Sequence, residues 1–164
     1  MPEYSINLAT RFSDAAVHLI RSEINDPEAG RATLYLSSLA SELALKSMLE
    51  QAGMPILEIR EYSHQLNKLL WALDKCNAEC IDPSVGNLKV SASQLRAKVI
   101  EFKDGQITVG KIIETPQSDV STYPSCVRYG QDIRHYPPKV LAIMAEIIVH
   151  FANNHLISLK PSLE

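Results

Sequence analysis

The segment that most constrains the fold is EAGRATLYLSSLASELALKSMLEQAG, residues 28–53. Its apolar residues recur at spacings of three and four, which predicts one long helix from about Glu28 to Ala52. Gly53 and Pro55 are residues that typically follow a helix C-terminus. The residues of one apolar face are Leu36, Leu39, Ala40 and Leu43. Further apolar positions lie outside that face, at Leu34, Leu45, Met48 and Leu49. Because these positions lie on more than one side, we expect the helix to contact several neighbours.

Helical periodicity continues over most of the chain. An Asp-Gly pair inside VIEFKDGQITVG instead predicts a short hairpin or extended excursion across residues 100–114. We therefore predict one all-α domain over residues 1–164, an up-and-down bundle of about five helices with a short hairpin or irregular insertion before the last helix. The other predicted helices span residues 6–24, 62–80 with Ser63 as N-cap, 91–101 and 138–156.

The composition restricts the classes of function. A formal net charge of −3 argues against a chain that coats nucleic acid non-specifically, although it leaves room for a local basic pocket. The first 20 residues lack the pattern of a secretory signal. The most apolar segment carries Glu146 and His150, which favours a buried helix over a membrane span. The odd number of cysteines, three, is typical of reduced thiols, so we expect a cytoplasmic protein that does not contact membranes.

Motifs for cofactors and metals are absent from the sequence. We find no glycine-rich dinucleotide loop and no Walker loop, and we therefore expect no cofactor. Cys76 and Cys80 lie one helical turn apart, but only Cys126 remains as a further thiol ligand, so we predict no metal site. The few aromatic residues are not interleaved with basic residues along the sequence, and this spacing predicts no platform for stacking RNA bases.

The second and third predicted helices carry a family resemblance. The run LYLSSLASELALKSMLEQAGMP, followed by YSHQLNKLL, resembles the HEPN family, the higher-eukaryote and prokaryote nucleotide-binding helical bundles. The resemblance covers residues 5–80 and 126–156. The positions that match the family pattern are Glu42, Ala44, Leu45, Lys46, Gly53, His64 and Leu66, with VRYG before the last helix. The resemblance implies a homodimer that binds RNA, a nucleotide or a partner protein. It also implies a defence or toxin–antitoxin context, with a cognate nucleotidyltransferase or an antitoxin as the partner.

The stretch RYGQDIRHYPP contains the candidate catalytic pair. The active branch of the family carries an arginine followed after four to six residues by a histidine, and six residues separate Arg128 from His135. Such a pair would support metal-independent RNA cleavage. In that reaction the histidine exchanges the proton of the ribose 2′-hydroxyl, and the arginine stabilises the charged phosphorane. A twofold dimer would bring a second copy of both residues to one cleft.

The same stretch departs from the family pattern. Gly130 follows the arginine closely, and Pro137 excludes helical backbone at Tyr136. Two hypotheses therefore stay open: a binding module in which this stretch is a loop that caps helices or contacts a partner, and an endoribonuclease that uses Arg128 and His135. Under either hypothesis, the neighbouring residues expected to support binding are Tyr129, Arg134 and Tyr136.

Three further groups of polar residues each have two interpretations. Glu42 and Lys46 could orient Arg128 or a phosphate, or form a simple intrahelical ion pair. His64 could face a nucleotide, or serve a structural role at a helix start. Glu146 and His150 could line an interface between protomers, or form the solvated edge of the last helix.

Overall fold

The computed structural model describes residues 2–22, 26–76, 80–82, 88–90, 92–115, 123–124 and 136–155. Within these residues the chain is mainly helical, which confirms the predicted fold class, an all-α bundle with an irregular insertion before the last helix. The helices are α1 (Ile6–Arg21), α2 (Pro27–Gln51), α3 (Ile56–Glu61), α4 (Leu66–Lys75), α5 (Ala92–Arg96), α6 (Val109–Glu114) and α7 (Pro138–His155). The strands are β1 (Cys80–Asp82), β2 (Leu88–Val90), β3 (Val99–Phe102) and β4 (Gly105–Thr108), paired antiparallel as β1–β2 and β3–β4.

Helix α2 is the centre of the bundle, and α1, α4 and α7 pack around it. The Glu50 carboxylate at its C-terminal end accepts the backbone N–H groups of Glu3 and Tyr4 at 2.8 and 2.9 Å. At the far end of α7, the Asn153 amide donates to the Thr10 hydroxyl at 3.0 Å. Both contacts reach the start of α1, so α1 runs antiparallel to α2 and to α7.

The predicted contacts of α2 on several sides are confirmed. Thirteen of the 17 positions from Thr33 to Leu49 are buried. Asp26 caps the helix, because its carboxylate accepts the Ala29 N–H at 2.7 Å, and Pro27 takes the first helical position. A helix surrounded in this way must also bury its polar residues, and those residues form the candidate site.

The predicted start and end of the third helix were both wrong. Helix α4 ends at Lys75, and Cys80, the last residue of the predicted helix, begins strand β1. Ser63 is not an N-cap; its backbone is left-handed, with φ of 51°, and it lies in the turn between α3 and α4. Gln65 is the N-cap residue of α4. The chain forms the separate helix α3 first, which buries Ile59 in the core, and the turn then redirects the chain into α4.

The fourth predicted helix was too long. A hairpin is present as predicted, but it covers residues 99–108, and a helix forms the rest of the predicted stretch 100–114. Helix α5 ends at Arg96, and Val99 begins strand β3, which pairs with β4 across a two-residue turn at Lys103 and Asp104. Ile100 is the residue of β3 that enters the core, and β-branched side chains of this kind favour strands. Helix α6 was not predicted; Thr108 caps it by accepting the Lys111 N–H at 3.2 Å.

The last helix agrees with its prediction to within one residue. Its apolar side packs against α1 and α2, whereas Glu146 and His150 are exposed. Among the described helices, none is both long enough and apolar enough to cross a membrane.

Candidate functional site

A carboxylate with three hydrogen-bond partners lies inside the bundle. Glu42 Oε1 accepts from Lys46 Nζ at 2.8 Å, while Glu42 Oε2 accepts from the Tyr123 hydroxyl at 2.5 Å and lies 2.9 Å from His64 Nδ1. We call these four residues the Glu42 cluster. It joins α2, the turn before α4, and the chain near Tyr123.

Local structure explains how the residues meet. Glu42 and Lys46 are one turn apart on α2, the spacing at which helical side chains touch. His64 reaches α2 because Ser63, just before it, takes the left-handed conformation and turns the chain. Tyr123 is fully buried, and it is 81 residues from Glu42 in the sequence.

Burial differs sharply across the Glu42 cluster. The side chains of Glu42 and Lys46 are 4% and 8% exposed, whereas that of His64 is 53% exposed. Charged groups are rarely buried unless they are paired, and here the carboxylate and the ammonium compensate each other. Lys46 Nζ also lies 5.4 Å from the centroid of the Tyr4 ring. The imidazole of His64 is therefore the part of the cluster that solvent and ligands can reach.

The charges of the cluster do not balance when His64 is protonated. One carboxylate then faces two cationic groups, Lys46 and His64, and the cluster carries a net charge of +1. Since Glu42 orients the imidazole through Nδ1, the other ring nitrogen is available for a ligand. The arrangement suits an anion, or a group that exchanges a proton with the ring.

An open groove of about 390 Å³ runs along the N-terminal half of α2. Its lining residues are Glu28, Arg31, Ala32, Tyr35 and Leu36. The Tyr35 ring contacts the Tyr123 ring edge-to-face, with centroids 5.6 Å apart. The Tyr123 ring in turn contacts the His64 ring, with centroids 6.0 Å apart. These aromatic contacts connect the groove with the Glu42 cluster.

The structure brings together three of the predicted support residues, Glu42, Lys46 and His64. The Glu42–Lys46 ion pair is intrahelical, as the simpler interpretation had it, but it is buried. His64 is bonded to Glu42 on α2 and its side chain is 53% exposed, so the structural and the nucleotide-facing interpretations both stay open. The sequence analysis missed Tyr123, because no local pattern connects a tyrosine in a loop-like segment with a helix so distant in the chain.

The candidate catalytic pair is outside the region that the structure covers. Arg128, Tyr129, Arg134 and His135 lie outside the described residues. Tyr136, the next residue along the chain, is described and packs against the core as a half-buried side chain.

Cysteine and metal chemistry find little support in the described part of the chain. There, no three His, Cys, Asp or Glu side chains are grouped as metal ligands. Burial, and secondly the charge of Glu58, raise the pKa of the half-buried Cys76 thiol. This shift favours the neutral thiol, which is a weak nucleophile and a weak metal ligand.

The polar edge of α7 faces solvent. Glu146 is exposed, and the ring of His150 lies 2.8 Å from the side-chain amide of Asn154. A solvated edge and a protomer interface would both place these residues on the outer surface of one chain, so both interpretations stay open.

Comparisons of this chain with protein-family models, curated proteins and solved structures found no match. The resemblance to HEPN proteins therefore stays a prediction based on the residues quoted above.

Proposed function

We propose that this chain is a HEPN-like homodimeric helical module that binds a phosphate-bearing ligand, RNA or a free nucleotide, through His64. The observation that carries the proposal is a half-exposed imidazole bonded to a buried carboxylate, Glu42. The sequence resemblance adds the expectation of a defence or toxin–antitoxin context, in which a nucleotidyltransferase or an antitoxin is the protein partner.

The geometry favours a ligand contact over a purely structural role for His64. The buried carboxylate has about four acceptor sites, and Lys46 and Tyr123 each donate one hydrogen bond to it. The third partner is a ring that is more than half exposed, so the contact orders an exposed side chain at an entropic cost. Ordering of this kind is useful where a side chain must present a fixed donor to a ligand.

The charge of the cluster favours phosphate. With His64 protonated, the cluster carries one net positive charge. The buried partners Glu42 and Lys46 fix the position of the cluster. Charge-assisted hydrogen bonds to phosphate are stronger than neutral ones. A phosphate that binds His64 would thus gain a donor whose orientation is already set.

The neighbouring groove offers a place for the rest of the ligand. The groove is shallow and open to solvent, and its described lining residues all belong to α2. Tyr35 presents an aromatic ring and Arg31 a guanidinium, which are the groups that stack on a base and contact a phosphate. Tyr35 is also one ring contact away from Tyr123, and hence from the cluster.

Fluorescence polarisation with a labelled single-stranded RNA and with a labelled nucleotide would test the proposal. His64→Gln removes the cationic form of the ring, and we expect it to weaken binding by about tenfold or more. His18→Gln, an exposed histidine on α1, is the matched control and should leave binding unchanged. The proposed role of His64 is wrong if the folded wild-type protein binds neither probe at micromolar concentration. It is also wrong if His64→Gln binds the probes as tightly as His18→Gln does.

A metal-independent endoribonuclease is the second candidate function. It is supported by the Arg128–His135 motif, which the active branch of the HEPN family also carries. On either side of this motif in the sequence, Tyr123 is bonded to Glu42 and Tyr136 packs against the core. Arg128 would stabilise the phosphorane, and His135 would transfer the proton.

Incubation of the protein with mixed RNA in EDTA would test this candidate. Cleavage that is lost in both Arg128→Ala and His135→Ala would assign the activity to the pair. Absence of cleavage by a folded, dimeric wild type would leave the binding module alone. Light scattering during gel filtration would measure the dimer independently, and a monomer at all concentrations would contradict that part of the proposal.

A further inference from the structure

Helix α4 has two chemically distinct faces. Its leucines Leu66, Leu69, Leu70 and Leu73 are buried in the core. On the opposite side, Trp71 is 51% exposed, although large aromatic residues are mostly buried in proteins. This ring is therefore the largest side chain that α4 presents to solvent, and it is not one of the described residues that pack against the core.

Two lysines flank this ring on the same face. Lys68 precedes Trp71 by three residues and Lys75 follows it by four, the spacings that place helical side chains side by side. Both lysines are exposed, and Lys75 Nζ lies 4.3 Å from the centroid of the tryptophan ring. The sequence analysis found no aromatic residue interleaved with basic ones because it followed linear order, whereas the helix brings residues three and four apart together.

The acidic residue of α4 does not neutralise this face. Asp74 accepts from the Ser93 hydroxyl at 3.0 Å and lies 3.6 Å from Arg96 Nη1, so its carboxylate is turned toward α5. Within α4, this face therefore carries two lysines and no carboxylate, in a chain whose net charge is −3.

We propose that the Lys68–Trp71–Lys75 face of α4 is a stacking platform for a base of single-stranded RNA, an inference that rests on the RNA-binding function proposed above. In the free chain the Lys75 ammonium lies over the Trp71 ring, and the base takes its place when it stacks on Trp71. Lys75 then contacts one flanking phosphate and Lys68 contacts the other. An exposed aromatic ring between cations is the combination that single-strand-binding proteins use, because every base has a π-face and every nucleotide a phosphate.

The location agrees with the His64 site. His64 lies two residues before α4 begins, and the axial rise from Leu66 to Trp71 is about 7.5 Å. A single strand is therefore long enough to contact both His64 and Trp71. The platform would hold the strand beside the phosphate contact, which makes the ligand an oligonucleotide in preference to a free nucleotide.

The sequence contains a single tryptophan, so its fluorescence reports on this platform directly. The test is a titration of the full chain with a labelled oligouridylate of roughly 12 nucleotides, followed by tryptophan quenching and by polarisation in the same sample. We expect quenching that parallels binding. We also expect Trp71→Leu, followed by polarisation alone, to weaken binding by about 10-fold or more. An oligodeoxyuridylate of the same length, which differs only in the sugar, shows whether the 2′-hydroxyl matters.

Charge variants complete the experiment. Lys68→Gln with Lys75→Gln should weaken binding and reduce its dependence on salt, because two phosphate contacts are lost. Lys103→Gln with Lys139→Gln removes the same charge from exposed positions elsewhere. This control should change neither the affinity for RNA nor its dependence on salt.

The failures of the two proposals are distinguishable. Polarisation that shows binding without quenching, and with no effect of Trp71→Leu, would refute the platform and leave the RNA-binding function standing. No binding in polarisation would overturn both proposals. A tryptophan signal that changes with protein concentration, without RNA, would show instead that the face joins two protein chains, and would also refute the platform.

Discussion

Two charged clusters tie the fold together, and they differ in burial far more than in geometry. In the Glu42 cluster one carboxylate bonds Lys46, His64 and Tyr123 inside the bundle. In the second cluster one guanidinium, Arg96, lies 2.7 Å from Glu114 and 3.6 Å from Asp74, and so joins α4, α5 and α6. The closest contacts in the two clusters are of similar length.

Their energies are expected to differ because water reaches only one of them freely. The side chains of Glu42 and Lys46 are 4% and 8% exposed, whereas those of Asp74 and Glu114 are 38% and 40% exposed. Coulombic attraction grows as the local dielectric constant falls, and salt screens exposed pairs more than buried ones. Hydrogen-bond length by itself is therefore a poor guide to the importance of a charged contact.

The largest expected effect is that of Lys46→Met. This variant keeps most of the side-chain volume but leaves the Glu42 carboxylate without its cation inside the bundle. We expect the free energy of unfolding to fall by about 3–5 kcal/mol, measured by urea denaturation. The double variant Glu42→Gln with Lys46→Met removes both charges and should recover part of the loss. A single-variant loss below about 1 kcal/mol would contradict the buried-pair argument.

Tyr123→Phe should have the next largest effect. It retains the ring contacts with Tyr35 and His64 but removes the hydroxyl that donates to Glu42. Because the acceptor is charged and buried, we expect a loss of about 1.5–3 kcal/mol in the free energy of unfolding. Tyr62→Phe, which removes a hydroxyl outside the cluster, is the matched control. Equal losses in the two variants would show that the Glu42 bond has no special weight.

Gly110→Ala probes the packing of α6 against the Arg96 side chain of the second cluster. Alanine normally stabilises a helix by about 1 kcal/mol relative to glycine. Here a Cβ at position 110 would lie 2.1 Å from Cγ of Arg96, so the arginine stem must move. We expect a net loss of about 1–2 kcal/mol, measured as a lower urea midpoint. A stabilised variant would mean that α5 and α6 separate easily.

The smallest effect should follow from Glu114→Gln. The pair with Arg96 is partly exposed, and such pairs contribute about 0–1 kcal/mol. Raising the salt concentration to 1 M should remove most of the difference between wild type and variant, since the Debye length falls to about 3 Å. The cost of Lys46→Met should persist at the same salt. If both costs respond equally to salt, the contrast between the clusters is not one of burial.

The parts of the fold that could be predicted are those with strong local signals. The apolar positions of α2 and α7 repeat with the helical period over many turns, and no other structure satisfies such a pattern. The Asp-Gly pair located the β3–β4 hairpin for a similar reason, because few backbone conformations suit that pair. Short elements were not predicted correctly. Ser63 was predicted to cap the third helix but does not cap α4, and the residues of β3 were assigned to a helix because their apolar spacing also fits one.

Three of the four residues of the Glu42 cluster were visible in the sequence, and only Tyr123 was not. Glu42 and Lys46 are four residues apart, and His64 belongs to the motif that resembles the HEPN family. Their burial was not visible, because it depends on α1, α4 and α7 covering α2 on several sides at once. The platform on α4 also needed the structure, since only the exposure of Trp71 distinguishes it from a core residue.

By itself, the sequence determined that α2 and α7 are long helices with extensive apolar faces and that a hairpin precedes the last helix. These features depend on residues close together in the chain, whose spacing fixes the backbone conformation. Only the tertiary structure decided that Glu42 meets Tyr123, 81 residues away, and that Lys46 is buried while Trp71 is exposed. Contacts of this kind depend on how the helices pack around α2, and no local spacing encodes that packing.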